Sequence, residues 1–277
     1  MRTRGGYRPG LSTVRAGAVE GAECAILRRV EKASLRNVLA VVPARLGGRR
    51  FPGKALADVG GVPMVVRVLQ AAAAATCVDD AVVATSDPEI ETVVRAHGGT
   101  CIRTRPDHAT GTDRVVEAAS RFPEAEFVFN VQGDEPLLPP SLLDDLANDL
   151  GSGFDMATPA HRLTNPARID DPNQVKVSFG ASGAALRFSR RPLPGPAYGH
   201  IGVYLFRRGF LMQWPSLPPS EGERIERLEQ LRALEAGHRI QVVTTSFRPI
   251  GVDSPGDLRR VERRLSSPRP SPGIGSV

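Results

Sequence analysis

A short glycine-containing segment near the start of the chain carries four basic side chains that could bind phosphate. It runs from Pro43 to Lys54 and holds Arg45, Arg49, Arg50 and Lys54. The apolar run before it, 38–42, is typical of a buried strand, and 63–72 after it predicts a helix opened by proline. Open α/β sheets bind ligands at the carboxyl ends of their strands, and guanidinium and ammonium groups pair with phosphates. The segment therefore predicts a polyphosphate site.

The same segment also fits part of a different phosphate-binding motif. Gly48 and the pair Gly53-Lys54 match the G-x-x-x-x-G-K portion of a P-loop, so a P-loop kinase or ATPase is an alternative. Ala55 follows the lysine where a Ser or Thr hydroxyl would hold Mg²⁺. The arginines, phenylalanine and proline inside the loop are also poorly suited to a tight nest of backbone N–H groups. Both features disfavour the P-loop interpretation.

Two aspartates follow predicted strands and could hold a divalent cation. Asp134 lies in a glycine turn directly after the apolar run 127–131, and Asp253 lies between the strand 240–244 and a helix opened by Pro255. Two carboxylates together with substrate phosphates make a typical Mg²⁺ site. The alternative interpretation is a turn residue or helix cap at each position.

Strand and helix patterns alternate through the first half of the chain, which indicates an α/β fold with a mostly parallel sheet. The second half has closely spaced strand patterns that suggest an antiparallel extension of the sheet, followed by an amphipathic helix over 223–236 and a last helix over 255–265. Predicted strands lie at 38–42, 80–85, 100–103, 127–131, 156–158, 174–179, 184–188, 201–206 and 240–244, and the earlier helices at 63–72, 88–97 and 112–121.

Composition limits the classes of function. The chain has 277 residues and a net charge of +6, of which residues 1–36 supply +5 through eight basic and three acidic side chains. The remainder is close to neutral, which argues against a nucleic-acid partner. No apolar stretch reaches the ~20 residues of a membrane span, so we expect a cytoplasmic protein without membrane association. We expect a disordered basic extension over 1–36, one domain over 37–265 and a disordered tail over 266–277.

Cysteines and lysines are rare enough to examine individually. Cys24, Cys77 and Cys101 show no metal or redox spacing and are expected to be free or buried thiols. Only three lysines occur against 33 arginines, so Lys54 and Lys176 are both candidates for a function that needs a compact charge. For Lys176 an ordinary strand position is the open alternative.

Nine segments of the chain occur in the order found in one known family. The chain thereby resembles the 3-deoxy-manno-octulosonate cytidylyltransferases (CMP-KDO synthetases) over residues 37–265. The segments are Pro43-Ala-Arg45, Phe51–Lys54, Asp107-His108 with Gly111-Thr112, Val131–Pro136, Asn173 with Val175-Lys176, Phe188–Arg190, His200–Tyr204, Leu228–Arg232 and Gly251–Asp253.

The resemblance implies a nucleotide-diphosphosugar transferase-like (Rossmann-like) fold, usually a homodimer, that transfers CMP from CTP to an acidic acceptor and releases pyrophosphate. It implies that catalysis depends on Arg45, Arg50, Lys54 and Asp134. The nucleotide would be bound by Arg45, Lys54, Arg105, His108, Gly111, Thr112 and Gln132. Mg²⁺ would be held by Asp134 and Asp253. The acceptor site would be lined by Arg190, His200, Tyr204, Glu226, Glu229 and Gln230.

One departure from the family concerns the acceptor. Only nine residues separate Arg190 from His200, where the family typically carries about a dozen more, with charged and aromatic side chains. The acceptor expected from the family is KDO or a similar sugar acid. Because a shorter segment suits a smaller anion, CMP transfer to a phosphonate such as phosphonoformate is an alternative. A CTP-binding protein without catalytic activity is a remote third possibility.

Overall fold

A mixed sheet of ten strands organises residues 35–47 and 51–266, which are the residues that a computed structural model of the chain describes. All of them belong to one unit, Ser34–Val277. Arg49 and Arg50 lie outside the described residues, as do nearly all positions of the two segments predicted to be disordered.

The strands follow one another closely in the first half of the chain and in its middle. They are β1 (Val38–Pro43), β2 (Asp80–Thr85), β3 (Thr100–Arg103), β4 (Phe127–Val131), β5 (Met156–Arg162), β6 (Lys176–Phe179), β7 (Ala185–Ser189), β8 (Tyr198–His200), β9 (Val203–Arg207) and β10 (Ile240–Thr245).

The helices of the described residues connect these strands or follow them. They are α1 (Met64–Ala73), α2 (Pro88–Ala96), α3 (Gly111–Ala119), α4 (Pro140–Asp149), α5 (Pro166–Asp170), α6 (Arg208–Leu211), α7 (Glu221–Glu226), α8 (Gln230–Glu235) and α9 (Pro255–Ser266). None of them has the length and hydrophobicity needed to cross a bilayer.

The sheet has a parallel part and an antiparallel part, in the order β3-β2-β1-β4-β9-β5-β8-β6-β7, with β10 on β5. Strand β1 pairs in parallel with both β2 and β4, and β2 pairs in parallel with β3. Strands β8 and β9 pair antiparallel with β5, whereas β10 pairs with it in parallel. The predicted fold class, a mostly parallel α/β sheet with an antiparallel extension, is confirmed.

Apolar side chains pack on both faces of the sheet. One cluster joins alternate residues of β1, such as Val38 and Val42, to helices α1 and α4. The other joins Leu39 and Val41 to α3 and to the aromatic residues around Trp214. Because β1 is buried on both faces, it is apolar without alternation, which is why its sequence identified it.

Three predictions about elements are wrong in detail. The amphipathic pattern over 223–236 forms two helices, α7 and α8, because Arg227 adopts the left-handed conformation with φ 55°. The strand expected over 201–206 begins at Val203, and β8 precedes it as a separate strand. Helix α4 was not predicted, since its sequence begins with two consecutive prolines that suggest a turn, although proline is tolerated in a first helical turn.

Candidate active site

A cavity of about 280 Å³ opens at the carboxyl ends of β1 and β4, which are neighbours in the sheet. The turn after β1, the turn after β4 and the N-terminal end of α3 form its walls. The first two turns lie side by side at Gly133, where a Cβ would be in van der Waals contact with the Pro43 carbonyl oxygen at 3.4 Å. The predicted site residues that line the cavity are Arg45, Lys54, His108, Gly111, Gln132, Asp134 and Glu229.

One ammonium group joins both predicted metal-binding aspartates at the edge of this cavity. Lys54 Nζ lies 2.8 Å from Asp134 Oδ2 and 3.3 Å from Asp253 Oδ1, and it also donates to the Val252 carbonyl oxygen. The Val252 N–H in turn donates to the Asp134 carbonyl oxygen at 2.9 Å. Residues distant in sequence are thus held together, as the strand-end argument predicted.

The electrostatics of this group are those of a partly buried ion cluster. Burial by itself would lower the pKa of Lys54, but the carboxylates of Asp134 and Asp253 outweigh it and raise that pKa above its ordinary value. Burial, followed by the charges of the same two aspartates, raises the pKa of Glu135 to about 8. Its Oε2 has no hydrogen-bond partner. The Glu135 carboxyl is therefore protonated at neutral pH and adds no third negative charge.

The two aspartates have the donor chemistry that Mg²⁺ requires. Their carboxylates converge on one point, the position of Lys54 Nζ, and Asp134 and Lys54 line the cavity. Within residues 35–47 and 51–266, no group of three or more His, Cys, Asp or Glu side chains is arranged to hold a metal ion. A cation at Asp134 and Asp253 would thus complete its coordination with oxygens of substrate and water.

The N-terminal end of α3 forms a rigid wall of the cavity. Thr110 and Asp113 form a capping box there, each side chain accepting a hydrogen bond from the other's backbone N–H. His108 Nε2 contacts Glu117 Oε2. The Thr112 N–H donates to Glu229 Oε2. These contacts occupy the N–H groups of Thr112 and Asp113, and the carboxylates of Asp113 and Glu229 meet the partial positive charge of the helix end.

The residues expected at the acceptor site form a second group around β7, β8 and β9. Glu226 accepts hydrogen bonds from Ser189 Oγ and from the Arg190 N–H, and Arg190 Nε donates to the Glu226 carbonyl oxygen. Tyr204 Oη donates to Gln230 Oε1 at 3.1 Å. Of this group only Glu229 also lines the first cavity.

His200 is more deeply buried than a side chain that binds a ligand at an exposed site. It is 8% exposed and its Nε2 lies 2.8 Å from Thr158 Oγ1. Its ring packs 5.4 Å from that of Tyr204, measured between centroids. Burial lowers the pKa of His200 to about 3, so the imidazole is neutral. His200 and Tyr204 lie on two different strands, β8 and β9.

Other predicted residues lie away from the cavity. The exposed Arg105 side chain is 3.6 Å from Glu117 and does not line the cavity. Lys176 is buried, and its Nζ donates to the carbonyl oxygens of Asp171 and Arg190, so it holds the end of β7 in place. Burial raises the pKa of the Cys77 thiol to about 12 and of the Cys101 thiol to about 11. Both are free and unreactive, whereas Cys24 lies outside the described residues.

Two residues of the site, Asn130 and Glu135, were given no role from the sequence, whereas Arg114 ends the segment Asp107–Arg114 that the family resemblance places around the nucleotide. Asn130 and Arg114 line the cavity, and Asn130 Oδ1 is buried without a hydrogen-bond partner. The sequence feature that could have identified Asn130 is its amide side chain within the otherwise apolar strand β4. Arg114 donates to Thr104 Oγ1 from a buried position. Nothing in the sequence signals that the Glu135 carboxyl is buried.

The P-loop interpretation is wrong. In a P-loop the lysine lies at the start of a long helix, whose N–H groups bind phosphate. Here Lys54 begins a single 3₁₀ turn, Lys54–Leu56, and the next helix starts ten residues later at Met64.

Comparisons with known proteins agree with this geometry. A family model described as cytidylyltransferase matches residues 39–240. The 3-deoxy-manno-octulosonate cytidylyltransferases of Geobacter sulfurreducens and Solibacter usitatus are 44% and 43% identical to the chain, over 83% and 82% of its length and 99% and 94% of theirs. A solved structure of CMP:2-keto-3-deoxy-manno-octonic acid synthetase complexed with CTP is 36% identical, with a TM-score of 0.77, over 83% of this chain and 98% of that one.

A more distant structure shows the fold alone. The 4-diphosphocytidyl-2C-methyl-D-erythritol synthase of Anaerococcus prevotii is 13% identical, with a TM-score of 0.58, over 83% of this chain and 98% of that one. Fold and relatives together define the class of the protein, an α/β nucleotidyltransferase. More particularly, the chain belongs to the cytidylyltransferase family, among the relatives named 3-deoxy-manno-octulosonate cytidylyltransferase.

Proposed function

We propose that this protein transfers the CMP unit of CTP to 3-deoxy-manno-octulosonate, or to a closely similar sugar acid, and releases pyrophosphate. The observation that carries the proposal is the meeting of Lys54 with Asp134 and Asp253 at a basic cavity, in a chain whose relatives bear that activity in their names. The acceptor, the metal and a homodimeric state are parts of this proposal.

The proposal gives a role to each group of side chains in the cavity. Arg45 and Lys54 neutralise the triphosphate, and the end of α3 with His108 and Gln132 surrounds the nucleoside. Asp134 and Asp253 would hold Mg²⁺, which supplies charge neutralisation on the phosphates and activation of the attacking oxygen. Arg50 remains a predicted phosphate ligand.

The chemistry requires positioning more than a reactive side chain. An oxygen of the acceptor attacks the α-phosphorus in line, the bond from that phosphorus to the bridging oxygen breaks, and pyrophosphate leaves. No covalent enzyme intermediate is needed, so the contribution of the protein is alignment and stabilisation of charge. A cavity with three basic side chains, Arg45, Lys54 and Arg114, suits such a reaction between two anions.

The short connection between β7 and β8 favours a second acceptor class. The strands end and begin at Ser189 and Tyr198, so little chain is present to cover a large sugar acid. The second candidate is therefore CMP transfer to a small phosphonate such as phosphonoformate, by the same in-line attack on CTP.

The test is pyrophosphate release with CTP and Mg²⁺ and a panel of acceptors. We expect turnover with 3-deoxy-manno-octulosonate, little without any acceptor, and little with ATP in place of CTP. Turnover with phosphonoformate alone would replace the first acceptor with the second. Absence of CTP-dependent pyrophosphate release with every acceptor would refute cytidylyl transfer by this chain.

A further inference from the structure

A second cavity, of about 340 Å³, lies where the parallel strands β5 and β10 end, beside α9. Four guanidinium groups line it, and no carboxylate does. They come from three elements: Arg168 from α5, Arg248 from the segment after β10, and Arg260 and Arg264 from α9. None of these residues lines the first cavity.

His161 is the deepest polar residue of this cavity. Its side chain lies at the end of β5 and the residue is 5% exposed, with both ring nitrogens buried. Burial lowers the pKa of His161, a backbone hydrogen bond at Arg162 opposes that shift, and the charges of Arg248 and Arg168 add to it. The ring therefore lies close to these arginines, at the base of the cavity.

The arginines around it are only partly neutralised. Arg168 Nη2 donates to the neutral amide of Gln174, and Arg260 Nη1 lies 3.4 Å from Asp257 Oδ1. Within residues 35–47 and 51–266, Arg248 and Arg264 form no ion pair. Four like charges around one concave surface repel one another, and a bound anion would remove that repulsion.

We propose that this cavity is a second anion site, which binds a small oxyanion of the phosphate or pyrophosphate class. Guanidinium groups pair with such oxyanions through two parallel hydrogen bonds. The site shares no lining residue with the first cavity.

The histidines of the chain allow the two cavities to be observed separately. There are five, of which His161 lines the second cavity and His108 lines the first. The full chain, labelled with ¹⁵N in its histidine rings, is titrated without Mg²⁺ with inorganic phosphate and, separately, with pyrophosphate. The variant His161→Asn assigns the resonances. We expect a saturable shift of the His161 ring nitrogens. One of the two anions should bind tenfold more tightly than the other, and that anion identifies the ligand class.

Helix α9 provides matched variants, because it carries two pairs of arginines with the same spacing. Arg260 and Arg264 line the cavity, whereas Arg259 and Arg263 do not. We expect the double substitution Arg260→Gln with Arg264→Gln to weaken the anion affinity measured from the His161 shifts at least tenfold. The double substitution Arg259→Gln with Arg263→Gln removes the same charge and should change that affinity less than twofold.

The single variant Arg248→Gln, on a different segment, should weaken the response as well. Equal weakening by both helix pairs would show general electrostatic attraction and would overturn the proposal. So would anion titrations that shift the His108 resonances and leave those of His161 unchanged. Because binding is measured without turnover, neither result depends on the proposed cytidylyl transfer.

Discussion

Lys54 satisfies two carboxylates that would otherwise repel each other. Its Nζ lies within 3.3 Å of an oxygen of both Asp134 and Asp253, and all three side chains are at least partly accessible to solvent. In such a setting an ion pair adds little stability, since water screens the charges. Its value lies in geometry, because the ammonium keeps the two carboxylates close together, as the proposed cation site requires.

The variant Asp134→Asn tests the role of the first carboxylate. The amide keeps the shape of the side chain but weakens cation binding, so we expect kcat/KM for CTP-dependent pyrophosphate release to fall at least about 100-fold, or about 2.7 kcal/mol. Steady-state kinetics and circular dichroism measure activity and fold. The control Asp145→Asn changes an exposed aspartate of α4 and should leave both unchanged. Near-normal activity of Asp134→Asn would exclude Asp134 from catalysis.

His200 should make the protein less stable in mild acid. Its folded-state pKa of about 3 lies below the ordinary 6.5, so the unfolded chain binds a proton first as the pH falls. Above pH 6.5 the neutral ring makes its full contribution to the free energy of unfolding. That contribution decreases as the pH falls from 6.5 toward 3, by up to about 1.4 kcal/mol per pH unit.

The measurement is urea unfolding at pH 7.5 and pH 4.5 for the native chain and for His200→Gln. Other groups titrate equally in both proteins, so the difference in their free energies of unfolding isolates His200. We expect that difference to shrink in acid. A difference that is independent of pH would mean that the ring titrates normally in the folded state.

At the scale of elements, strand ends were easier to predict than helix boundaries. The position of Asp134 follows from a buried apolar strand and the turn after it, both visible in sequence. The break between α7 and α8 is not visible, because the hydrophobic pattern continues through Arg227 although its backbone leaves the helical conformation. The packing of Leu228 and Gln230 into the interior imposes that break, and packing against distant residues is not encoded in local periodicity.

Glycine should be tolerated at the break and not within the helix. Arg227 has φ 55°, a conformation that costs about 1 kcal/mol for a residue with a Cβ and nothing for glycine. We expect Arg227→Gly to leave the thermal unfolding midpoint unchanged or to raise it. The matched control Arg224→Gly, in the interior of α7, should lose about 0.5–1 kcal/mol. Similar destabilisation by both would contradict the left-handed assignment.

At the scale of the whole molecule, one sheet passes through both halves and a core lies on each face. The parallel half, β1 to β4, holds the nucleotide cavity, and the antiparallel half carries most residues expected at the acceptor site. The sequence predicted this division from the change in strand spacing near 156. It could not predict the order of strands in the second half, because β10 returns to pair with β5 across many intervening residues.

The cores on the two faces of the sheet should unfold together. Trp214 is the only tryptophan and is fully buried in the cluster on one face, whereas Leu143 is buried in the cluster on the other. We expect urea transitions followed by tryptophan fluorescence and by circular dichroism to coincide. Leu143→Ala should cost about 2–5 kcal/mol and move both transitions equally. A shift confined to the circular dichroism signal would show that the core on the Leu143 face unfolds separately.

The contact between Lys54 and Asp253 has a consequence for synthesis of the chain. These residues are 199 positions apart, whereas Lys54 and Asp134 are 80 apart. A ribosome therefore delivers the lysine and its first acidic partner long before the second one emerges. A polypeptide released early, before residue 253 is added, lacks one proposed ligand of the cation. The proposed cation site is therefore complete only near the end of translation.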